Sequence, residues 1–247
     1  MLKYIFLGIV QGLTEFFPVS SSGHLAVLQQ MLGMNEDGVA LAVVLHFGTV
    51  LALIIFFYKE ILAAARSPKT ISLIIIVTVI TGLIGVSGRH LFESMFGSVK
   101  AICIAWMITG VVLLLTKRFE QAQRKAVNVK DGIILGITQG LAIAPGISRS
   151  GITISTLLFR KIDREAAFSF SFLVAIPAIL GAGILEAKDI DFALQSNLKN
   201  FCAGFIFSFF SGMLALWLLK KIIAKAKFHY FGYYCLIIAI LTLIFVK

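Results

Sequence analysis

The chain has 247 residues, of which 59% are hydrophobic and only 14% charged, and its formal net charge is +10. Soluble domains carry about 45–50% apolar and about 25% charged residues, so this composition excludes an ordinary soluble domain and indicates a membrane protein. The basic excess is read as the residues that hold cytoplasmic loops in place, and no nucleic-acid partner is expected. Cys103, Cys202 and Cys235 each lie in an apolar block without metal-ligand spacing; they are read as small core residues, with no disulfide framework. The first apolar run carries Gln11 and Glu15, which a cleavable signal sequence would tolerate poorly, so none is expected.

Crossing a hydrocarbon core of about 30 Å takes roughly 20 helical residues. In chain order, an interrupted apolar stretch at 1–32 breaks at Phe17-Pro18-Val19-Ser20-Ser21-Ser22-Gly23, and full spans are predicted at 39–58, 70–88 and 99–116. A second interrupted stretch at 130–160 breaks at Pro145-Gly146-Ile147-Ser148-Arg149-Ser150-Gly151, and full spans follow at 165–186, 200–219 and 228–246. The pieces flanking each break are some 10–14 residues long, roughly 15–20 Å of helix or half a membrane. Each broken stretch is therefore expected to enter, break and return to its own side. Irregular backbone at that depth is tolerated only inside protein or beside a water-filled cavity.

The two breaks match at a constant offset of 128, with Gly8, Ile9, Gln11, Gly12, Leu13, Ser20, Ser22 and Gly23 recurring as Gly136, Ile137, Gln139, Gly140, Leu141, Ser148, Ser150 and Gly151. Eight identities in sixteen gapless positions, including Gln-Gly and Ser-x-Ser-Gly in register, mark an internal repeat. Three full spans separate the hairpins, which places them on opposite sides. The expected fold is thus an all-α integral membrane protein with six full transmembrane helices and two re-entrant broken-helix hairpins in an inverted-topology repeat. It forms a single membrane domain over 1–247, with a first repeat at 1–116 (hairpin 1–32) and a second at 130–247 (hairpin 130–160). On this topology one side holds fifteen Lys and Arg, while the side of the N-terminus holds six: Lys3, Arg89, Lys100, Lys188, Lys199 and Lys247. The basic side is then cytoplasmic, and the first hairpin dips in from outside.

Only one basic residue, Arg149, and one acid, Glu15, fall inside this membrane interior, one in each repeat. Buried ionisable groups are expensive there and mark a functional site; the plainer alternative is an ion pair stapling the hairpins. Gln11 and Glu15, four apart, share a helix face. Ser20, Ser21 and Ser22 start the next half-helix, where they can cap it, and His24 follows. Ser148, Arg149 and Ser150 start the second return helix, with Thr153 one turn on. A helix N-terminus and a guanidinium fork suit phosphate. With Glu, Ser and His beside them they hold the parts for phosphoryl transfer. His46 lies mid-span, where a structural hydrogen bond is as good an account as a place in the site. His90 and His229 are read as interfacial, and Tyr230, Tyr233 and Tyr234 as an interface belt.

The stretch Gln11-Gly12-Leu13-Thr14-Glu15-Phe16-Phe17-Pro18-Val19-Ser20-Ser21-Ser22-Gly23-His24 resembles the (E/Q)xxxE-plus-PVSSxGH motif of the undecaprenyl-pyrophosphate phosphatases, the bacitracin-resistance proteins. Pro145-Gly146-Ile147-Ser148-Arg149-Ser150-Gly151-Ile152-Thr153 resembles that family's PGxSRSxxT motif. The resemblance implies a hydrolase of the bacterial cytoplasmic membrane that converts undecaprenyl pyrophosphate to undecaprenyl phosphate and inorganic phosphate at the outer face. Such an enzyme recycles the cell-wall lipid carrier and confers bacitracin resistance. It further implies a divalent cation, Mg²⁺ or Ca²⁺, at Gln11 and Glu15, pyrophosphate binding by Arg149, and catalysis by Ser21 and His24. Gln11 replaces the first acid of the motif, a variant the pattern allows, which leaves one carboxylate for a metal.

The expected mechanism has Arg149, with Ser20, Ser22, Ser148, Ser150 and Thr153, holding the phosphates. Ser21 attacks the terminal phosphorus while His24 moves protons and Glu15 binds metal or orients the nucleophile; attack by water instead is equally consistent. The bilayer and the lipid pyrophosphate are the expected partners, and a homodimer is admissible although no segment specifies one. The rival class is a transporter or lipid flippase, since inverted repeats with broken helices are a transporter hallmark.

Overall fold

Apolar blocks of this length can satisfy their own backbone groups in hydrocarbon only as helices. The computed structural model describes residues 1–33, 38–119, 124–187 and 198–246, and these are helices and their connections, with one isolated β-bridge between Arg124 and Ile162. Helices α1 (Leu2–Phe16) and α2 (Ser21–Met31) flank the first break. Next come α3 (Gly38–Phe56), α4 (Tyr58–Ala65), α5 (Pro68–Ser87), α6 (Arg89–Phe96) and α7 (Val99–Leu115), which runs into a 3-10 turn at Thr116–Phe119. Helices α8 (Val129–Leu141) and α9 (Arg149–Phe159) flank the second break, followed by α10 (Arg164–Ala187), α11 (Leu198–Ala224) and α12 (Tyr230–Phe245).

Every stretch read as a span contains a helix, but the lengths differ from expectation. Four helices, Pro68–Ser87, Val99–Phe119, Arg164–Leu185 and Leu198–Ala224, are long and apolar enough to cross a membrane. The α3 segment reaches that standard only together with α4, to which it is bent by 72°, and α12 has 16 residues. Two stretches read as loops carry short helices. Lys59, Glu60, Leu62 and three alanines are strong helix formers and extend the chain past the bend as α4. In α6 an i,i+4 pair, Arg89 to Glu93 at 2.5 Å, supports the turn. Lys188 and Lys247, counted on the sparsely basic side, lie outside the described residues. Cys103 and Cys235 are buried as expected, whereas Cys202 is exposed on α11, because a position in an apolar block can equally face lipid.

Close packing explains the placement of the two entry helices. Helix α1 lies along α11, and α8 lies along α5. A Cβ at Gly8 would sit 2.5 Å from the Gly204 carbonyl oxygen, and one at Gly12 would sit 2.4 Å from that of Ser208. On the other pair, Gly136 and Gly140 would bring a Cβ to 2.8 Å from Ile80 and Ile84. Small residues one turn apart let membrane helices approach closely, where dispersion rather than the hydrophobic effect holds them. The Ser211 hydroxyl donates to the Gly8 carbonyl at 3.4 Å, and Thr81 donates to that of Gly136 at 3.2 Å. Helix α12 packs on α7, and α3 on both α10 and α11. An aromatic cluster of Phe16, Phe57, Phe168 and Phe172 fills the core beneath the first break.

The ends of each hairpin are tied. Lys3 donates to the Leu32 carbonyl at 2.9 Å. At the positions 128 further on, Arg160 pairs with Asp131 at 2.8 Å. Asp131, in the first turn of α8, is fully buried: it also takes a two-pronged contact from Arg124 at 2.6 and 2.8 Å and caps α8 through the Asn128 backbone. A carboxylate can be that deep because four donors replace its water.

Candidate active site

The two breaks meet and hold each other's backbone. In the first, the carbonyls of Phe17, Pro18 and Val19 accept from Ser150 at 3.3 Å, Cys235 at 3.5 Å and Trp106 at 2.9 Å. In the second, the Gly146 carbonyl accepts from Thr109 at 3.2 Å, while the Gly146 N–H donates to the Ser20 hydroxyl at 3.1 Å. Irregular backbone inside a membrane protein needs such partners. Ser20 adopts a φ of +65°, a left-handed conformation uncommon outside glycine. That twist leaves its side chain as the cap of α2, accepting from the Gly23 N–H at 3.4 Å. Ser148 caps α9 in the same way, through the Gly151 N–H at 3.1 Å.

With both return helices started at the break, Ser21 and Arg149 become their first residues. These positions correspond at the offset of 128, and both side chains reach one carboxylate. Glu15 Oε1 pairs with Arg149 Nη2, and Glu15 Oε2 accepts from the Ser21 hydroxyl at 2.6 Å and from Gln11 Nε2 at 3.0 Å. His46 on α3 completes the ring: its Nδ1 is held by the Ala42 carbonyl at 2.8 Å, which turns Nε2 to within 3.6 Å of Glu15 Oε2. Both readings of His46 thus hold at once, the structural hydrogen bond and the place in the site. The Glu15 side chain is 3% exposed and that of Arg149 18%. Arg149 Nη1 is buried without an acceptor among the described residues. A guanidinium with one unfilled edge next to a serine hydroxyl is a receptor for an anion with several oxygens.

The other expected ligands are placed around this centre rather than in it. Ser20 and Ser22 face each other at 3.2 Å, and so do Ser148 and Ser150 at 3.3 Å. Thr153 donates to the Arg149 carbonyl at 2.8 Å and lies 2.5 Å from the Ser171 hydroxyl on α10. His24 is not in hydrogen-bond contact with Ser21. One turn along α2, it points away, with Nδ1 at 2.8 Å from the Ser20 carbonyl and Nε2 at 2.8 Å from the Tyr234 hydroxyl. The group that accepts from the Ser21 hydroxyl is Glu15.

A divalent cation at Gln11 and Glu15 fits this arrangement poorly. Both Glu15 oxygens already accept from protein donors, and Arg149 balances the charge. The only unfilled oxygen of the set is Gln11 Oε1, and no group of three His, Cys, Asp or Glu is placed to hold a metal among the described residues. One amide oxygen does not make a protein-built site for a hard cation.

Sequence reading passed over Trp106, Thr109 and Ser171, which act through hydrogen bonds from distant spans, and placed Tyr234 in an interface belt. Nothing in the local pattern of these residues marks them. Only for His46 was a signal present, as a polar residue in mid-span.

Comparison with known proteins finds relatives over nearly the whole chain. A family described as bacitracin resistance protein BacA matches residues 4–241. A protein of Halothermothrix orenii named undecaprenyl-diphosphatase is 40% identical over 99% of this chain and 97% of its own. Proteins of the same name from Carboxydothermus hydrogenoformans and Methanosphaera stadtmanae are 41% and 37% identical, covering 97% and 99% of this chain and 95% and 97% of theirs. With two motifs, a buried Glu–Arg–Ser centre and a match of this extent, the chain belongs to the bacitracin resistance protein BacA family.

Proposed function

We propose that the protein hydrolyses undecaprenyl pyrophosphate to undecaprenyl phosphate and inorganic phosphate. The observation that carries this reading is the single carboxylate, Glu15, held at once by Ser21 and Arg149 from the two motifs. Relatives about 40% identical named undecaprenyl-diphosphatase support it. The pyrophosphate enters between the hairpins while its prenyl chain stays in the bilayer. Its oxygens compete with Glu15 for Arg149, and Nη1, which has no partner, supplies a ready donor. As Arg149 swings to the phosphate, Glu15 loses its counter-ion and becomes a stronger base toward the Ser21 hydroxyl. Ser21 then attacks the terminal phosphorus, its proton passing to Glu15 as the bridging P–O bond breaks. Water subsequently hydrolyses the phosphoserine. If water attacks directly, Ser21 and Glu15 orient it instead. Ser20, Ser22, Ser148, Ser150 and Thr153 set the two helix N-termini that face the phosphates. Mg²⁺ or Ca²⁺ enters the proposal only as a companion of the pyrophosphate oxygens, and no step depends on it.

The inverted repeat is part of the same proposal. The pairing of α1 with α11 and of α8 with α5, the ties at 3/32 and 131/160, and the reciprocal bracing of the breaks support it. On that topology the basic loops are cytoplasmic, the N-terminus and active site face outside the cytoplasmic membrane, and recycling of the lipid carrier there confers bacitracin resistance. Purified protein is expected to release inorganic phosphate from undecaprenyl pyrophosphate, assayed with Mg²⁺, with Ca²⁺ and with a chelator. Silence under all three conditions would leave lipid transport as the better account.

A further inference from the structure

His24 is buried between two aromatic rings. It is 8% exposed, and its ring meets the Trp106 edge at 5.0 Å and lies parallel to the Tyr234 ring, 13° off, at 5.8 Å. A carbonyl oxygen can only accept, so the Ser20 carbonyl at 2.8 Å requires the hydrogen on Nδ1. In the neutral ring Nε2 then carries the lone pair, and the Tyr234 hydroxyl at 2.8 Å donates to it. The backbone therefore selects the tautomer, and Tyr234 selects where the basic nitrogen points.

Tyr234 does this from 210 residues away, on a helix anchored at the break by the Cys235 contact to the Pro18 carbonyl and by Phe231 against Phe17 at 5.2 Å. Its neighbours behave differently. Tyr230 and Tyr233 are more exposed, at 56% and 52%, and their rings meet each other, as an interface belt would. Stacking alone would need only a phenyl ring; the hydroxyl aimed at Nε2 is the additional feature.

We infer that Tyr234 is a positioning residue: by fixing the His24 ring it keeps the Nδ1–H on the Ser20 carbonyl and so steadies the left-handed turn from which Ser21 reaches Glu15. This rests on the reading of the site as a phosphatase. The phenol acts through the ring and the turn and not on the reacting atoms, so losing it is expected to lower kcat on the order of tenfold, short of the about 10²-fold that a full misplacement can cost. KM stays within about twofold, because Tyr234 acts on the imidazole and not on the phosphates.

The test uses full-length protein in detergent, as wild type, Tyr234→Phe, His24→Ala and the double variant, with Tyr233→Phe as a control. Phenylalanine keeps the stacked ring and removes only the hydroxyl. The expected result is a kcat loss in Tyr234→Phe, wild-type activity in Tyr233→Phe, and no further loss when Tyr234→Phe is added to His24→Ala. Nitrogen-15 NMR of labelled histidine rings, with His24 assigned by its absence in His24→Ala, is expected to show the Nδ1–H tautomer in wild type. In Tyr234→Phe the Nε2 resonance shifts. Full activity in Tyr234→Phe, an undiminished loss in the His24→Ala background, or unchanged ring signals would overturn the inference. Those outcomes require active wild-type enzyme; wild type that releases no phosphate would instead bring down the phosphatase reading itself.

Discussion

Replacing Arg149 by leucine, alone and together with Glu15→Gln, separates the two things the ion pair does. In Arg149→Leu the Glu15 carboxylate, 3% exposed, loses its counter-ion and keeps only Ser21, Gln11 and His46 around it. Stranding a buried charge costs about 3–5 kcal/mol, and the remaining donors on Oε2 bring the expectation to the lower end. For a chain of this size about 1 kcal/mol corresponds to roughly 2–4 °C, so the melting temperature in detergent should fall by roughly 6–12 °C. The phosphate clamp goes at the same time, and removing one such donor typically costs about 10²–10³ in rate. In the double variant a neutral amide faces a leucine and no charge is stranded. Most of the lost melting temperature should return while phosphate release stays abolished. Thermal unfolding and phosphate release, measured on the same preparations, read the two effects. A double variant as unstable as Arg149→Leu, or an Arg149→Leu protein within tenfold of wild-type activity, would refute the account of this pair.

Other predictions address the neighbourhood. Ser21→Ala removes the 2.6 Å contact to Glu15; a loss of about 10² or more in kcat is expected, and full activity would eliminate the phosphoserine route. Gly12→Ala drives a Cβ to 2.4 Å from the Ser208 carbonyl, backbone that has nowhere to move; a destabilisation of about 1–3 kcal/mol should appear in a detergent melt. Burial pushes the Asp131 carboxyl up, but hydrogen bonds from Arg124 and Arg160 outweigh it and hold it at about 2. A carboxyl so depressed stabilises the fold above its unfolded value near 3.9, and that contribution is lost as the pH falls through about 2. Melts between about pH 5 and pH 2 should therefore show a steeper acid loss in wild type than in Asp131→Asn, whose baseline is lower throughout.

The parts of this molecule legible in the sequence are those written in neighbouring residues. The breaks at Pro18 and Pro145, the caps at Ser20 and Ser148, and the meeting of Glu15 with Arg149 follow from repeat register and from the cost of charge in lipid. The 72° bend before α4 and the short α12 were not legible, because hydropathy reports a solvent preference and not where an axis turns. The burial of Asp131 was not legible, because burial at a helix start depends on Arg124 and Arg160, brought there by the tertiary fold. The direction of His24 was hidden for a similar reason. Helical spacing places it one turn from Ser21, but Trp106 and Tyr234 decide which way the ring faces.

The repeat also explains why there is one such centre and not two. Ser21 and Arg149 occupy corresponding positions, and so do Glu15 and Ile143. Two carboxylates or two guanidiniums meeting in so dry a place would repel; one of each with a hydroxyl forms a neutral set that an anion can open. The asymmetry extends to the backbone. Helix α1 runs through Glu15 to Phe16, but α8 stops at Leu141, two residues short of Ile143. Pro145 comes one register position earlier than Pro18 and disfavours helix at the residue before it. Ile143 consequently turns to the surface, 38% exposed and against Gly85. Placing the missing acid there should then fail to build a second centre. Ile143→Glu introduced into Glu15→Gln protein is expected to leave phosphate release at the Glu15→Gln level, because the new carboxylate faces outward, away from Ser21 and Arg149. Recovery of even a tenth of wild-type release would mean that the end of α8 can be rewound to match α1, and that register, not helix length, confines the chemistry to one side.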